Sequence, residues 1–214
     1  MKMESGVAQE EAVDSMVKVL KDGGLICLPC NGTYRIFADL ENLEAVMHLF
    51  QSKRRVHKAP SLVFIDSAAK LARVTEENGA ETTALMNAFW PGPLTILFEA
   101  TNQLPRKVIK ELTRANGKLG VRVPEDPLAR KVVKKFGGAV LVSSANKGRK
   151  AGESSPAQVR QSFLGRVDYF LDAGDLQSEP SSTVIDLSKG DVEIVREGAV
   201  AEEEIRNVLE ALDQ

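Results

Sequence analysis

Short apolar runs bounded by turn residues alternate along this chain with stretches whose apolar residues recur at helical spacing, and no Pro/Gly/Ser-rich linker interrupts them. That alternation restricts the fold to a sheet with helices packed on it. Ala12, Met16, Val19 and Leu20 share one helix face, and Asp22-Gly23-Gly24 supplies its stop. Leu25 to Pro29 reads as a buried strand, Asn31-Gly32 as a turn, and Thr33 to Phe37 as a second extended stretch. Leu43, Val46, Met47 and Phe50 fall at i, i+3, i+4 and i+7 and mark a helix that runs into Lys53-Arg54-Arg55. Further strands are predicted at 62–65, 94–98, 119–123, 139–142, 169–171, 184–187 and 192–195, and helices at 82–89, 127–136 and 157–163. Ile205, Val208, Leu209 and Leu212 form a last amphipathic helix. Close successive strands near the C-terminus call for antiparallel pairing, so the sheet is expected to be mixed. A single domain over 1–214, without repeats, is the expected organisation.

Composition narrows the class. Of the 214 residues, 43% are hydrophobic and 27% charged, enough apolar surface for a real core without disulfides. Disorder and a small stapled scaffold are therefore excluded. No apolar run approaches the ~18 residues that a membrane span needs. The start, Met1 to Glu11, is polar and acidic rather than leader-like, so a cytoplasmic protein without membrane association is expected. A net charge of -2 gives no global field to attract nucleic acid, and any polyanion must be held by a local basic cluster. Aromatic residues are only 5%, a poor supply for stacking single-stranded bases.

Three segments could carry chemistry. Cys27-Leu28-Pro29-Cys30 has C-x-x-C spacing, but it lies in a predicted strand, where positions i and i+3 point to opposite faces. A redox pair wants its cysteines at a helix N-terminus instead, so two small packing residues are expected. Lys53-Arg54-Arg55, with His57 and Lys58, concentrates positive charge at a helix end and the loop beyond it. It reads either as a solvated face that complements the helix dipole or as a set of donors for phosphate oxygens. Ser143-Ser144-Ala145-Asn146 follows an apolar strand and leads into Lys147-Gly148-Arg149-Lys150. Hydroxyls, an amide and cations beyond a strand's carboxyl end suit a ligand, and equally suit an ordinary polar turn.

Taken together and in order, several segments resemble the YrdC/YciO family, the threonylcarbamoyl-AMP synthase fold, in its single-domain type. Lys53-Arg54-Arg55 is similar to the K-x-R motif and Ser144-Ala145-Asn146 to S-x-N. Trp90-Pro91-Gly92-Pro93-Leu94-Thr95 resembles the W-P-G-P-L-T turn, and Gly120-Val121-Arg122-Val123-Pro124 the V-R-x-P strand end. Ser182-Thr183-Val184-Ile185-Asp186 resembles S-T-V-I-D, and Arg196-Glu197-Gly198-Ala199 resembles R-x-G-A.

The resemblance implies an α/β fold with an open twisted mixed parallel/antiparallel sheet flanked by helices, and a large basic concave cavity. It implies a nucleotidyltransferase that makes threonylcarbamoyl-AMP from L-threonine, bicarbonate and ATP, with Mg2+, for tRNA modification. A downstream threonylcarbamoyl-transferase complex is the implied partner, and tRNA or double-stranded RNA is a candidate ligand. Lys53, Arg55, Asn146, Ser154 and Arg196 would face the nucleotide; Gly32, Arg122, Ser144 and Ser182 would face the amino acid. Lys53, Arg55, Ser144 and Asn146 would serve the chemical step. The resemblance places no metal ligand.

The chain departs from the family pattern in one stretch above all. Where P-T-x-T-V-Y-G-L is usual, it reads Pro29-Cys30-Asn31-Gly32-Thr33-Tyr34-Arg35-Ile36, losing two threonines and gaining an arginine. Phe64 stands where the family has a histidine, and Val56 where it has a proline. Weak selection for the threonine hydroxyl is therefore expected, with Gly32→Thr and Phe64→His restoring it. Two rivals follow: a divergent paralogue adenylylating another carbamoyl or amino-acid substrate, and a non-catalytic RNA- or nucleotide-binding protein of the same fold.

Overall fold

The structure is a computed structural model that describes residues 6–53, 61–76, 79–113, 117–146 and 155–212. In chain order its elements are α1 (Gly6–Lys21), β1 (Ile26–Cys30), β2 (Thr33–Asp39), α2 (Leu43–Lys53), β3 (Ser61–Phe64), α3 (Ala80–Phe89), β4 (Leu94–Glu99), α4 (Arg106–Leu112), β5 (Lys118–Arg122), α5 (Pro127–Phe136), β6 (Val140–Ser144), α6 (Pro156–Phe163), β7 (Tyr169–Phe170), β8 (Thr183–Asp186), β9 (Glu193–Arg196) and α7 (Glu202–Glu210). A 3-10 turn, Ala68–Arg73, follows β3. The strands form an open mixed sheet, as expected from the alternating pattern. No helix among the described residues is long and apolar enough to cross a membrane.

The chain divides into two compact units, Met1–Val56 with Asp126–Glu179, and His57–Glu125 with Pro180–Gln214. In the first, the strand order is β7-β1-β2-β6. β1 runs antiparallel to β2 and parallel to β7, and β2 runs antiparallel to β6. The β1–β2 hairpin turns on Asn31 and Gly32, whose φ values of 50° and 66° are both positive. A two-residue type I′ loop requires that, and Asn-Gly adopts it most easily. Helix α1 packs against α5. The α5 boundaries are written in the sequence: the Asp126 carboxylate accepts from the Ala129 amide at 2.8 Å, Pro127 opens the helix, and Gly137 closes it at φ 81°. Met16, Leu20, Ile26, Leu28, Phe37 and Phe163 are among the fully buried side chains of this unit. The buried Tyr34 hydroxyl donates to the Gly174 carbonyl at 2.8 Å and accepts from the Ala173 amide at 2.9 Å, and burial holds its pKa above the usual phenol value.

In the second unit the order is β3-β5-β4-β8-β9. β3 and β5 are parallel, as are β4 and β8, while β4–β5 and β8–β9 are antiparallel. Helix α3 packs on α7. Phe64, Leu94, Ile96, Phe98, Val121 and Ile185 fill the core. Lys118 Nζ reaches Asp186 Oδ1 and Oδ2 at 2.7 and 2.6 Å, fastening β5 to β8 by their side chains.

Two elements were not predicted from sequence. Helix α4 has seven residues and buries only Val108 and Leu112, too little periodicity to stand out, and the 3-10 turn buries only Leu71. In α7 the expected apolar stripe is narrower than its composition suggests: Ile205 is buried, while Leu212 lies beyond the helix and is 45% exposed.

Candidate functional site

Each unit gathers part of the sequence-predicted site. In the first, Lys53 is the last residue of α2 and Ser144 the last of β6, so a helix end and a strand end meet. The Lys53 ammonium donates to the Ser144 carbonyl, to Ser144 Oγ at 3.3 Å and to Asn146 Oδ1 at 3.2 Å. Ser144 Oγ in turn donates to Asn146 Oδ1 at 2.7 Å. The Ser144 and Asn146 oxygens among its acceptors are neutral, so these contacts orient the ammonium without themselves being counter-charges. The backbone explains why S-x-N carries the middle residue it does. Ala145 is fully buried and its amide donates to the Tyr34 carbonyl at 2.8 Å, continuing the β2 ladder, while Ser144 and Asn146 turn back toward each other.

Gly32 belongs to the same unit but lies in the hairpin turn, and its surroundings settle what can stand there. A Cβ on Gly32 would lie 2.3 Å from the Gln177 carbonyl oxygen and 2.6 Å from the Glu179 amide nitrogen. The Asn31 amide donates to Asp126 Oδ2 at 3.4 Å, and its side-chain amide to Glu179 Oε2 at 3.5 Å, so the turn is held against this segment. A threonine cannot replace Gly32 without moving backbone. The expected restoration by Gly32→Thr therefore meets a steric obstacle: in this chain the position is built for glycine.

In the second unit Arg122 ends β5, is 2% exposed, and lays its guanidinium over the Phe64 ring at 5.0 Å. Phe64 is its register partner on β3, and Arg122 Nη1 lies 4.0 Å from Glu125 Oε2. A buried arginine over a buried ring gains a cation–π attraction that a neutral histidine would supply less well. Ser182 and Arg196 come together a strand away. Arg196 donates through Nε and Nη2 to the Ser182 carbonyl at 3.2 and 2.6 Å, and through Nη2 to Ser182 Oγ at 3.1 Å. Ser182 Oγ also lies 3.0 Å from Thr95 Oγ1. Gly198 explains the R-x-G-A turn that brings Arg196 there, because a Cβ on it would meet the Ser181 carbonyl oxygen at 2.3 Å.

Thr95 closes the W-P-G-P-L-T run, but the sequence shows no role for it; its contact with Ser182 becomes visible only through the β4–β8 register, in which it stands opposite Val184. The predicted residues Arg55 and Ser154 lie outside the described residues. Cys27 and Cys30 are both buried in β1, and burial drives the Cys27 thiol pKa far above its ordinary value.

An open mixed sheet flanked by helices, with hydrogen-bonded cations and hydroxyls at the ends of its elements, defines an α/β protein. Its residues 18–198 match the model of the Sua5/YciO/YrdC family, described as telomere recombination, and the chain belongs to that family. It is 28% identical over 190 residues to the threonylcarbamoyl-AMP synthase of Pyrococcus abyssi, covering 89% of this chain and 55% of that protein. It is 26% identical over 194 residues to the uncharacterized protein YciO of Escherichia coli, covering 89% and 90%. Among solved structures it is similar to Pyrococcus abyssi Sua5 complexed with L-threonine, with TM-score 0.83 and 26% identity, covering 98% of this chain and 59% of that one. The chain thus spans little more than half the length of the Pyrococcus protein.

Proposed function

We propose that this chain is an L-threonylcarbamoyladenylate synthase-type nucleotidyltransferase, with ATP, bicarbonate and an amino acid, L-threonine first among them, as substrates. The amine and bicarbonate give a carbamate and water; a carbamate oxygen attacks the α-phosphorus, and pyrophosphate leaves. Such a step asks the protein for positioning and charge stabilisation more than for proton transfer. The Lys53 ammonium, fixed by Ser144 and Asn146, is the observation that carries the reading. Lys53, Asn146 and Arg196, with Arg55 and Ser154, face the nucleotide in this reading; Arg122, Ser144 and Ser182 face the amino acid. Mg2+ fits as the counter-ion of ATP, since it is ordinarily held through substrate phosphates and one or two carboxylates. Among the described residues no three His, Cys, Asp or Glu side chains converge as a metal cage. A transferase complex acting on tRNA is the proposed consumer of the product.

A second reading, a paralogue acting on another amine, is favoured by Gly32, whose turn has no room for the family's threonine. Pyrophosphate release from ATP and bicarbonate, measured across a panel of amino acids, separates the two readings. Lys53→Ala should weaken ATP binding by roughly 10- to 150-fold, the worth of one charge-assisted contact of ~1.5 to 3 kcal/mol. If no amino acid supports pyrophosphate release while RNA binds, the protein is a binder and the enzyme reading is wrong.

A further inference from the structure

Arg35 is the one substitution in the P-T-x-T-V-Y-G-L stretch that brings in a charge, and the sheet register shows where it brings it. On β2, Arg35 stands directly opposite Ser144 of β6, with Leu28 of β1 on its other side. Residues opposite each other in an antiparallel pair project from the same face, with Cβ atoms ~4.5–5.5 Å apart. The arginine stem therefore rises beside the hydroxyl that Lys53 and Asn146 hold. Leu28 is fully buried, and so is Phe37, two residues along β2 on the same face, which leaves the Ser144 side as the polar one.

Two further observations concern the guanidinium. Arg35 is only partly buried as a residue, yet its Nε is shut off from solvent and makes no hydrogen bond. Among the described residues no ion pair involves Arg35. A buried, charged donor left unmet is costly. That cost vanishes if an anionic oxygen accepts from it. A purely structural arginine would instead be expected to reach a backbone carbonyl or carboxylate, as Arg196 and Arg160 do.

We propose that Arg35 is a substrate-binding residue that adds a second cation to the Lys53–Ser144–Asn146 cluster, so that the ligand seated there places a carboxylate or phosphate oxygen against the Arg35 guanidinium. This deepens the synthase-type reading, resting on it only in taking the cluster as the substrate site. It also gives that site a discriminating element where the family pattern has a glycine: a bound molecule must present negative charge at this point of the sheet and leave room for a guanidinium.

The test uses the full chain and three variants, Arg35→Met, Arg35→Lys and Arg35→Gln, titrated calorimetrically with ATP, inorganic pyrophosphate, L-threonine and L-aspartate, with thermal unfolding to establish that each variant is folded. Arg35→Met should weaken at least one ligand by about tenfold or more, and Arg35→Lys should recover part of the loss, which a packing role would not produce. Loss confined to ATP and pyrophosphate identifies a phosphate as the anion. Loss confined to the amino acids identifies a carboxylate. If Arg35→Met does not fold, Arg35→Gln, polar but uncharged, decides the same question. Should the folded uncharged variant bind all four ligands as tightly as the parent, the proposal is overturned, whether or not the parent releases pyrophosphate. An Arg35-dependent affinity without any pyrophosphate release would support this inference while refuting the synthase-type reading.

Discussion

Gly32→Ala isolates the backbone requirement of the β1–β2 turn. At φ 66° an L-residue pays for the left-handed conformation, about 1–2 kcal/mol. The added methyl would also stand 2.3 Å from the Gln177 oxygen and 2.6 Å from the Glu179 nitrogen, both backbone atoms, so residues 177–179 must shift. Overpacking of this kind costs about 1–3 kcal/mol. Together the loss is roughly 2–5 kcal/mol, a large part of the ~5–15 kcal/mol that keeps a typical protein folded. For a chain of this length each kcal/mol lowers the melting temperature by about 2–4 °C, so a fall of roughly 4–20 °C is expected. Thermal and urea unfolding of the parent, Gly32→Ala and Asn31→Gly measure it. Asn31→Gly, which removes a side chain from a residue already at positive φ, should shift the midpoint far less. A Gly32→Ala midpoint within about 1 °C of the parent would show that the turn yields freely, and the objection to a threonine at this position would fall.

The Asp186 carboxyl is held below its ordinary value of 3.8 although desolvation alone would raise it, because Lys118 and Ser188 hydrogen-bond the charged form. The native state thus binds this proton less readily than the unfolded chain. Its contribution is complete above the ordinary value and fades as pH falls through the lowered one. Stability curves of the parent and Lys118→Met should therefore differ near neutrality and converge at strongly acid pH; parallel curves throughout would mean that the pair contributes nothing. Replacing Cys27 and Cys30 together by alanine should leave ATP affinity unchanged, since both are buried in a strand and opposite faces receive them; a loss of affinity in a folded variant, seen by calorimetry, would contradict this.

How much of this was legible in the sequence depended on whether the signal was local. The β1–β2 hairpin was readable from Asn31-Gly32, and α5 from Pro127 to Phe136, because turn and cap chemistry act within four residues. Strand order was not readable: β1 pairs with β7, bringing Ile26 beside Tyr169, and nothing in either strand names the other. The same divide holds at the site. Lys53, Ser144 and Asn146 were found through motif resemblance, and the structure brings them together. Arg35 was visible as a departure, but only the β2–β6 register shows that it stands beside Ser144. Thr95 gained its place next to Ser182 only through the β4–β8 pairing.

The Lys53 contacts join residues 91 and 93 positions apart, and β6 can present Ser144 only after pairing with β2. Between the two lies most of the second unit, residues 57–125. Closing a loop of that length carries an entropic cost that the contacts must offset, and the Lys53–Ser144–Asn146 cluster exists only once β6 is seated beside β2, not in the β1–β2 hairpin alone. A nascent chain that has emerged only as far as β5 already contains Lys53 and Arg35 but not Ser144 or Asn146. A ligand that recognised the cluster would therefore select molecules in which β6 is seated on β2 and draw the population toward them.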